Sequence, residues 1–192
     1  MVVFAWFAAA ALAALSSTRQ SRQVDELVGE PLTRRDQERE VAAARLIRAL
    51  LSPEETGFPR HYEFRLFLMD KAAGRLLPAF ESEGIDDAPE GWAPNQGATG
   101  LAWSANTRVL VRGAAVSDET HGLSPAQRKR YTKLQVVAAM PVRTVRDRVI
   151  AVLSVSSDND DGFLDLPEAI LAHLELAEVI ARILIDILGG HE

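Results

Sequence analysis

Two apolar, β-branched runs, Val136 to Val142 and Val149 to Ser156, flank a polar and basic turn, Arg143-Thr144-Val145-Arg146-Asp147-Arg148. Runs of this length and composition around such a turn predict neighbouring strands folded back as a hairpin. Upstream, Tyr62 to Leu68 alternates, with Tyr62, Phe64, Leu66 and Leu68 on one side; that period of two predicts another strand. Asp70 to Gly74 reads as a turn, and Arg75 to Phe80 as the returning partner, with Pro78 pointing to an edge position. A short strand is expected at Arg108 to Arg112.

Helical spacing appears at both ends. Thr33 reads as an N-cap with Asp36 three residues on, before Val41, Ala44, Ile47, Leu50 and Leu51, and Ser52-Pro53 stops the pattern. The longest helical pattern runs from Pro167 to Leu188, with Asp165 as its cap and Gly189-Gly190 as its stop. Ile170, Leu174, Ala177, Ala181, Leu184 and Leu188 form one apolar stripe on it, and Leu176, Ile180, Ile183 and Ile187 form another. One stripe can cover a sheet. The second needs the helix at 33–51, a second copy of the chain, or both.

Val2 to Leu15 is apolar without a break. Through Thr18 it would span about 26 Å as a helix, slightly under a hydrocarbon core of about 30 Å. A secretory signal would have a basic start, which is missing, and a core helix would keep a polar face. A membrane helix over 1–18 fits best. Arg19 and Arg22 follow it directly, so the remainder is expected on the cytoplasmic side, after a juxtamembrane linker at 19–32.

Composition narrows the chemistry. The 192 residues carry a net charge of −6 and no cysteine. Disulfides, thiolate nucleophiles and cysteine-held zinc are excluded. The acidic balance argues against a nucleic-acid partner, since phosphate binding needs a concentrated basic face. The four histidines show no metal-ligand spacing, and neither a Gly-x-Ser-x-Gly elbow nor a phosphate-binding Gly-x-x-x-x-Gly-Lys loop is present. Ser157, Asn159, Asp161, Gly162 and Glu168 fall at calcium-loop spacing, but the first position is not Asp and a strand precedes it. A solvated acidic turn is the better reading.

The order of parts resembles a GAF domain, a small sensory module of the PAS/GAF superfamily. The motifs are Asn95-Gln96-Gly97-Ala98-Thr99-Gly100 leading into a helix with Trp103, the Ala139-Met140-Pro141-Val142 strand, and Val152-Leu153-Ser154-Val155 before the long last helix. The resemblance covers roughly 33–190. It implies an α+β fold, an antiparallel sheet of five or six strands with helices on both faces. It also implies a small-molecule site roofed by 107–131, where Ser124 and Pro125 start a helix.

Around that site the expected ligand surroundings are Trp92, Trp103, Arg112, Asp118, His121, Tyr131, Met140 and Ser154. Each has a plainer reading: Trp103 as a core anchor, Asp118 and His121 as turn formers, Arg112 as a solvated strand end. Bilin attachment and methionine-sulfoxide reduction in related proteins use cysteines, and the Asn-Lys-Phe-Asp-Glu signature of cyclic-nucleotide binders is not in the sequence. The ligand and any cofactor therefore stay open. No kinase, cyclase or DNA-binding pattern follows Leu188, so output is expected through a partner protein and through repacking of helices 33–51 and 167–188 in a homodimer. The alternatives are a degenerate domain acting only as a dimerisation scaffold, and a small enzyme using Asp118, His121 and a serine.

Overall fold

The computed structural model describes residues 34–52, 56–70, 72–81 and 91–187. The expected membrane helix at 1–18, the linker at 19–32, the Thr33 cap, residues 82–90 of the acidic loop and everything from Leu188 onward lie outside them. Among the described residues no helix is long and apolar enough to cross a membrane.

The chain runs α1 (Arg34–Leu50), β1 (Glu63–Asp70), β2 (Arg75–Glu81), α2 (Gly97–Ala105), β3 (Val109–Arg112), α3 (Pro125–Tyr131), β4 (Val136–Arg143), β5 (Val149–Ser157) and α4 (Pro167–Ile187). Its five strands form one sheet in the order β2-β1-β5-β4-β3, and every pairing is antiparallel. The expected hairpin is β4–β5. Thr144 N–H bonds the Arg148 carbonyl at 2.9 Å across its turn, and Asp147 takes the left-handed conformation there. β2 lies at the sheet edge with Pro78 opposite Phe67, next to a register shift, the edge irregularity that a proline requires.

Strand parity divides the core in two. Phe64, Leu66, Val136, Ala138, Met140, Leu153 and Val155 face α1 and α4. Phe67, Val137, Ala139, Val149 and Val152 face α2, α3 and the 107–131 segment. Helices therefore cover both faces, as the GAF resemblance implies. On the first face, α4 lies along β4 and against α1. Its buried line is Ala169, His173, Ala177, Ile180, Ala181 and Leu184. That line draws on both stripes expected from the sequence. Ile170 and Leu174, by contrast, are 36% and 42% exposed. The small alanines bring the helix backbone close to the sheet, while Ile170, Leu171 and Leu174 in its first two turns face outward. Asp165, expected as the cap of α4, belongs instead to a 3-10 turn (Phe163–Asp165) and gives its carboxylate to Arg112 at 2.5 Å.

His173 is fully buried on this face. Its Nε2 lies 3.3 Å from the Leu153 carbonyl, and its ring meets Phe58 edge-on. Burial, reinforced by the Arg108 charge nearby, pushes its pKa down to about 3. The imidazole is neutral at ordinary pH and donates Nε2–H to that carbonyl.

Candidate functional site

The cover starts where β3 ends. After Arg112 the chain makes two 3-10 turns, Gly113–Ser117 and Glu119–His121, then enters α3 and returns as β4. Beneath it sits Trp92, almost fully buried and joined to Leu76 on β2 by two backbone hydrogen bonds of 2.8 and 2.9 Å. The indole meets Phe67 and Tyr131 edge-on, at ring-centre distances of 6.2 and 5.2 Å. The Gly-x-x-Gly turn lies directly on this ring. A Cβ at Gly97, which has φ +57°, would fall 2.6 Å from the Trp92 ring, and one at Gly100 would fall 2.2 Å from the Ala93 carbonyl. Only glycine permits both approaches.

Two glutamines fasten the cover to that turn. Gln96 Oε1 accepts from Ala93 N–H at 2.9 Å, while its amide donates to the Gly122 carbonyl at 2.8 Å and to Gln127 Oε1 at 3.0 Å. Gln127 and Ser124 form a reciprocal capping box at the start of α3, with bonds of 2.8 and 3.1 Å. Gln127 Nε2 also reaches the Gly91 carbonyl at 3.3 Å. Every bond in this latch is between uncharged groups.

The hollow under the cover is lined by Trp92, Gly97, Ala98, Val111, Ala115, Val116, His121, Leu123, Tyr131 and Val137, and has no room for a water molecule. Of the eight expected ligand residues, Trp92, His121 and Tyr131 meet here. Trp103 is half-buried at the edge of the same core. Ser154 is buried on β5, level with Arg65 of β1 and in parity with Val152, on the cover side but away from the hollow lining. Asp118 is exposed, and hydrogen bonds from the Thr120 amide and hydroxyl, both 2.8 Å, hold its carboxyl below the usual range. Its carboxylate works within a turn, and among the described residues it is not joined to His121 and a serine in a hydrogen-bonded triad.

Arg112 and Met140 stand on the other face. Parity with Leu110 sends Arg112 toward α4, where it pairs with Asp165 and with Asp160 at 3.1 Å; parity with Ala138 puts Met140 in the helix-side core. The Asp165 hydrogen bond comes first among the causes that raise the Arg112 pKa. The acidic turn is thereby occupied. Asp161 accepts from the Tyr62 hydroxyl at 2.6 Å and lies 3.2 Å from His61, and the first of these contacts chiefly holds its carboxyl low. Among the described residues no group of three His, Asp or Glu side chains is placed to hold a metal.

Sequence reasoning missed Gln96, Gln127 and Arg65. The Ser124-x-x-Gln127 spacing carried a signal for the second. Arg65 is only 4% exposed on β1, with Glu63 at 3.0 Å, and its place in the odd register opposite Phe64 and Leu66 was the available hint.

No family model matches the sequence, and no curated protein matches it. Solved structures do. The GAF domain of an Acinetobacter phosphoenolpyruvate-protein phosphotransferase matches with a TM-score of 0.58 at 15% identity, over 92% of this chain and 97% of that one. A type II free methionine-R-sulfoxide reductase from Thermoplasma acidophilum matches with a TM-score of 0.57 at 18% identity, over 76% and 94%. A GAF domain/HD domain protein from Geobacter sulfurreducens gives 0.54 at 16%, over 80% and 94%. With the five-stranded antiparallel sheet and its two covered faces, these similarities define the fold as GAF.

Proposed function

We propose that this chain is a non-enzymatic sensory module. In this reading it is tethered to the cell membrane through residues 2–18 with the domain on the cytoplasmic side. It binds a small molecule under the 107–131 cover and signals by repacking its first and last helices, in a homodimer or toward a partner protein. The observation that carries the reading is Arg112. It is the last residue of β3, where the 107–131 segment leaves the sheet for the two turns over the hollow, and it grips Asp160 and Asp165 at the root of α4. A cover displaced by a ligand pulls on the start of the longest helix. The reductases among the neighbours share this fold, but the 192 residues contain no cysteine for the sulfur chemistry expected of them. The non-enzymatic reading rests on that composition.

A second reading has its own support. A hollow without space for water favours a domain whose pocket is filled by its own side chains and which serves as a dimerisation scaffold. The exposed Leu166, Ile170, Leu171 and Leu174 on and before α4 would supply its contact face. Native mass spectrometry of the full chain purified from its source separates the two. A retained small molecule supports the sensor. An unliganded mass, with melting unchanged across a metabolite panel, leaves the scaffold.

A further inference from the structure

The tip of the β4–β5 hairpin is a surface that neither the cover nor the helices use. Val145 is 94% exposed at its apex, more than any other large apolar side chain among the described residues. The turn beneath it is braced. Thr144 N–H bonds the Arg148 carbonyl and Asp147 N–H bonds the Thr144 carbonyl, both at 2.9 Å, and Thr144 Oγ1 accepts from the Arg146 and Arg148 amides at 3.3 Å. A lone exposed valine is ordinary on a protein surface. The charge around this one is not. Residues 143–148 hold three arginines against one aspartate, in a chain whose net charge is −6. That aspartate, Asp147, is engaged within the domain by Arg143 and by the Asn106 amide, both at 3.2 Å. Arg146 lies exposed next to Val145. Acids gather at the other end of the strands, where Asp158, Asp160, Asp161 and Asp165 follow β5. The nine residues of β5 separate the two ends by about 30 Å. That is several times the screening length of about 8 Å at physiological salt, so the acidic end does not cancel the basic tip.

A partner for the tip has to be negative and has to accept an apolar side chain between the charges. A nucleic-acid backbone offers only the first. An anionic bilayer offers both, with phosphates outside and hydrocarbon beneath. The inference rests on the membrane-tethered reading. In it the linker at 19–32, at most about 3.3–3.6 Å per residue, keeps the domain within about 50 Å of the bilayer. Contact then requires the domain to turn rather than to travel.

We propose that the 143–148 tip docks on an anionic lipid surface, with Val145 entering the headgroup layer and Arg146 meeting lipid phosphate. The test places the full 15N-labelled chain in lipid nanodiscs that carry a headgroup spin label. One set is phosphatidylcholine alone, and the other adds phosphatidylserine. The expected result is paramagnetic broadening of the Val145 and Arg146 amide signals with phosphatidylserine only, relieved by high salt, while Asp158 and Asp160 stay sharp. Arg146→Gln should lower the ratio of docked to undocked tip about fivefold, the equivalent of about 1 kcal/mol. Val145→Asp should abolish docking. A tip that stays sharp in both sets, equal broadening with neutral lipid, or broadening at Asp158 in place of Val145 overturns the proposal. So does a nucleic-acid oligomer that shifts the tip signals more strongly than phosphatidylserine does. Incorporation into the neutral discs reads the tether separately. A chain that incorporates and leaves the tip sharp refutes docking and spares the tether. A chain that stays out of neutral discs refutes the tether, and the tip must then bind phosphatidylserine discs unaided or fall with it.

Discussion

Replacing His173 by glutamine should remove most of the chain's loss of stability between about pH 6.5 and pH 4.5. The imidazole is fully buried, with Phe58 against its ring, the Leu153 carbonyl at Nε2 and the Arg108 charge close enough to oppose protonation. Its pKa falls from 6.5 to about 3 on folding. Below pH 6.5 the unfolded chain takes up a proton at this site that the folded chain refuses. Protonation therefore favours unfolding, and stability declines as pH falls until the folded pKa is reached. Each unit costs about 1.36 kcal/mol, so the step from pH 6.5 to 4.5 removes about 2.5 kcal/mol, a large share of an ordinary domain's stability. His173→Gln keeps a donor for the Leu153 carbonyl and cannot titrate. Urea unfolding of both proteins at half-unit intervals should give curves that converge as pH falls, with the variant less stable at pH 7.5 and level or ahead at pH 4.5. The carboxylates held low by their partners, Asp118 and Asp161, act below the usual 3.8 and lie outside this window. Parallel curves for the two proteins would show that His173 is not the neutral, desolvated group described here.

Three further substitutions test other parts of the molecule. Gly97→Ala adds a carbon 2.6 Å from the Trp92 ring in a backbone with φ +57°; left-handed strain of about 1–2 kcal/mol and overpacking of about 1–3 kcal/mol predict a loss of at least 2 kcal/mol by denaturant unfolding. A change under about 0.5 kcal/mol would mean the turn does not rest on the indole. Tyr62→Phe removes the 2.6 Å bond to Asp161, a carboxylate about one-third exposed; the expected cost is about 1 kcal/mol at neutral pH, fading as pH falls through the Asp161 pKa, which the variant raises toward 3.8. A 13C titration of the aspartates reads that shift, and an unmoved Asp161 refutes it. Leu174→Glu puts a charge on the exposed face of α4 without touching the core; it should dissociate a homodimer by analytical ultracentrifugation while leaving the melting temperature of the dissociated chain within a few degrees, and an unchanged mass would remove this face from the interface.

The strands were legible because their pattern is local. Tyr62, Phe64 and Leu66 alternate with Glu63 and Arg65, and one face of β1 follows from that alone. β4 and β5 are apolar on both faces, so alternation locates the strands without saying which face meets which layer. Met140 was therefore read toward the cover although its parity with Ala138 and Val142 sends it to the helices. Arg112 is expected from the sequence beside the ligand or as a solvated strand end, because a charge at the end of a short strand does not by itself say which face it takes. The odd register of Val109 and Val111, both packed on the cover side, assigns Leu110 and Arg112 to the opposite face. α4 hid its buried line because small alanines and a histidine share that line with Ile180 and Leu184, while the larger Ile170 and Leu174 lie outside it. Alanines and a histidine lie against the sheet, and no pattern rule selects His173 over Ile170. The glutamine latch joins residues 31 positions apart, and nothing local in the sequence couples them.

The placement of Arg112 also limits how strong a switch this molecule can be. Position 112 belongs to the helix side of the sheet by parity, while position 113 begins the cover, so one peptide bond separates the two layers. What ties cover to helix at that point is a pair of partly exposed ion contacts, with the Arg112 side chain 34% exposed and Asp165 54%. Exposed pairs contribute about 0.2–1 kcal/mol each after solvent screening. Two of them can transmit at most about 2 kcal/mol between cover and α4, roughly a thirtyfold change in an equilibrium. Moving a population from almost entirely one state to almost entirely the other takes about 5.5 kcal/mol. A response carried by Arg112 alone is therefore graded, and under the proposed function any sharper response would have to draw on a second copy or a partner binding α4.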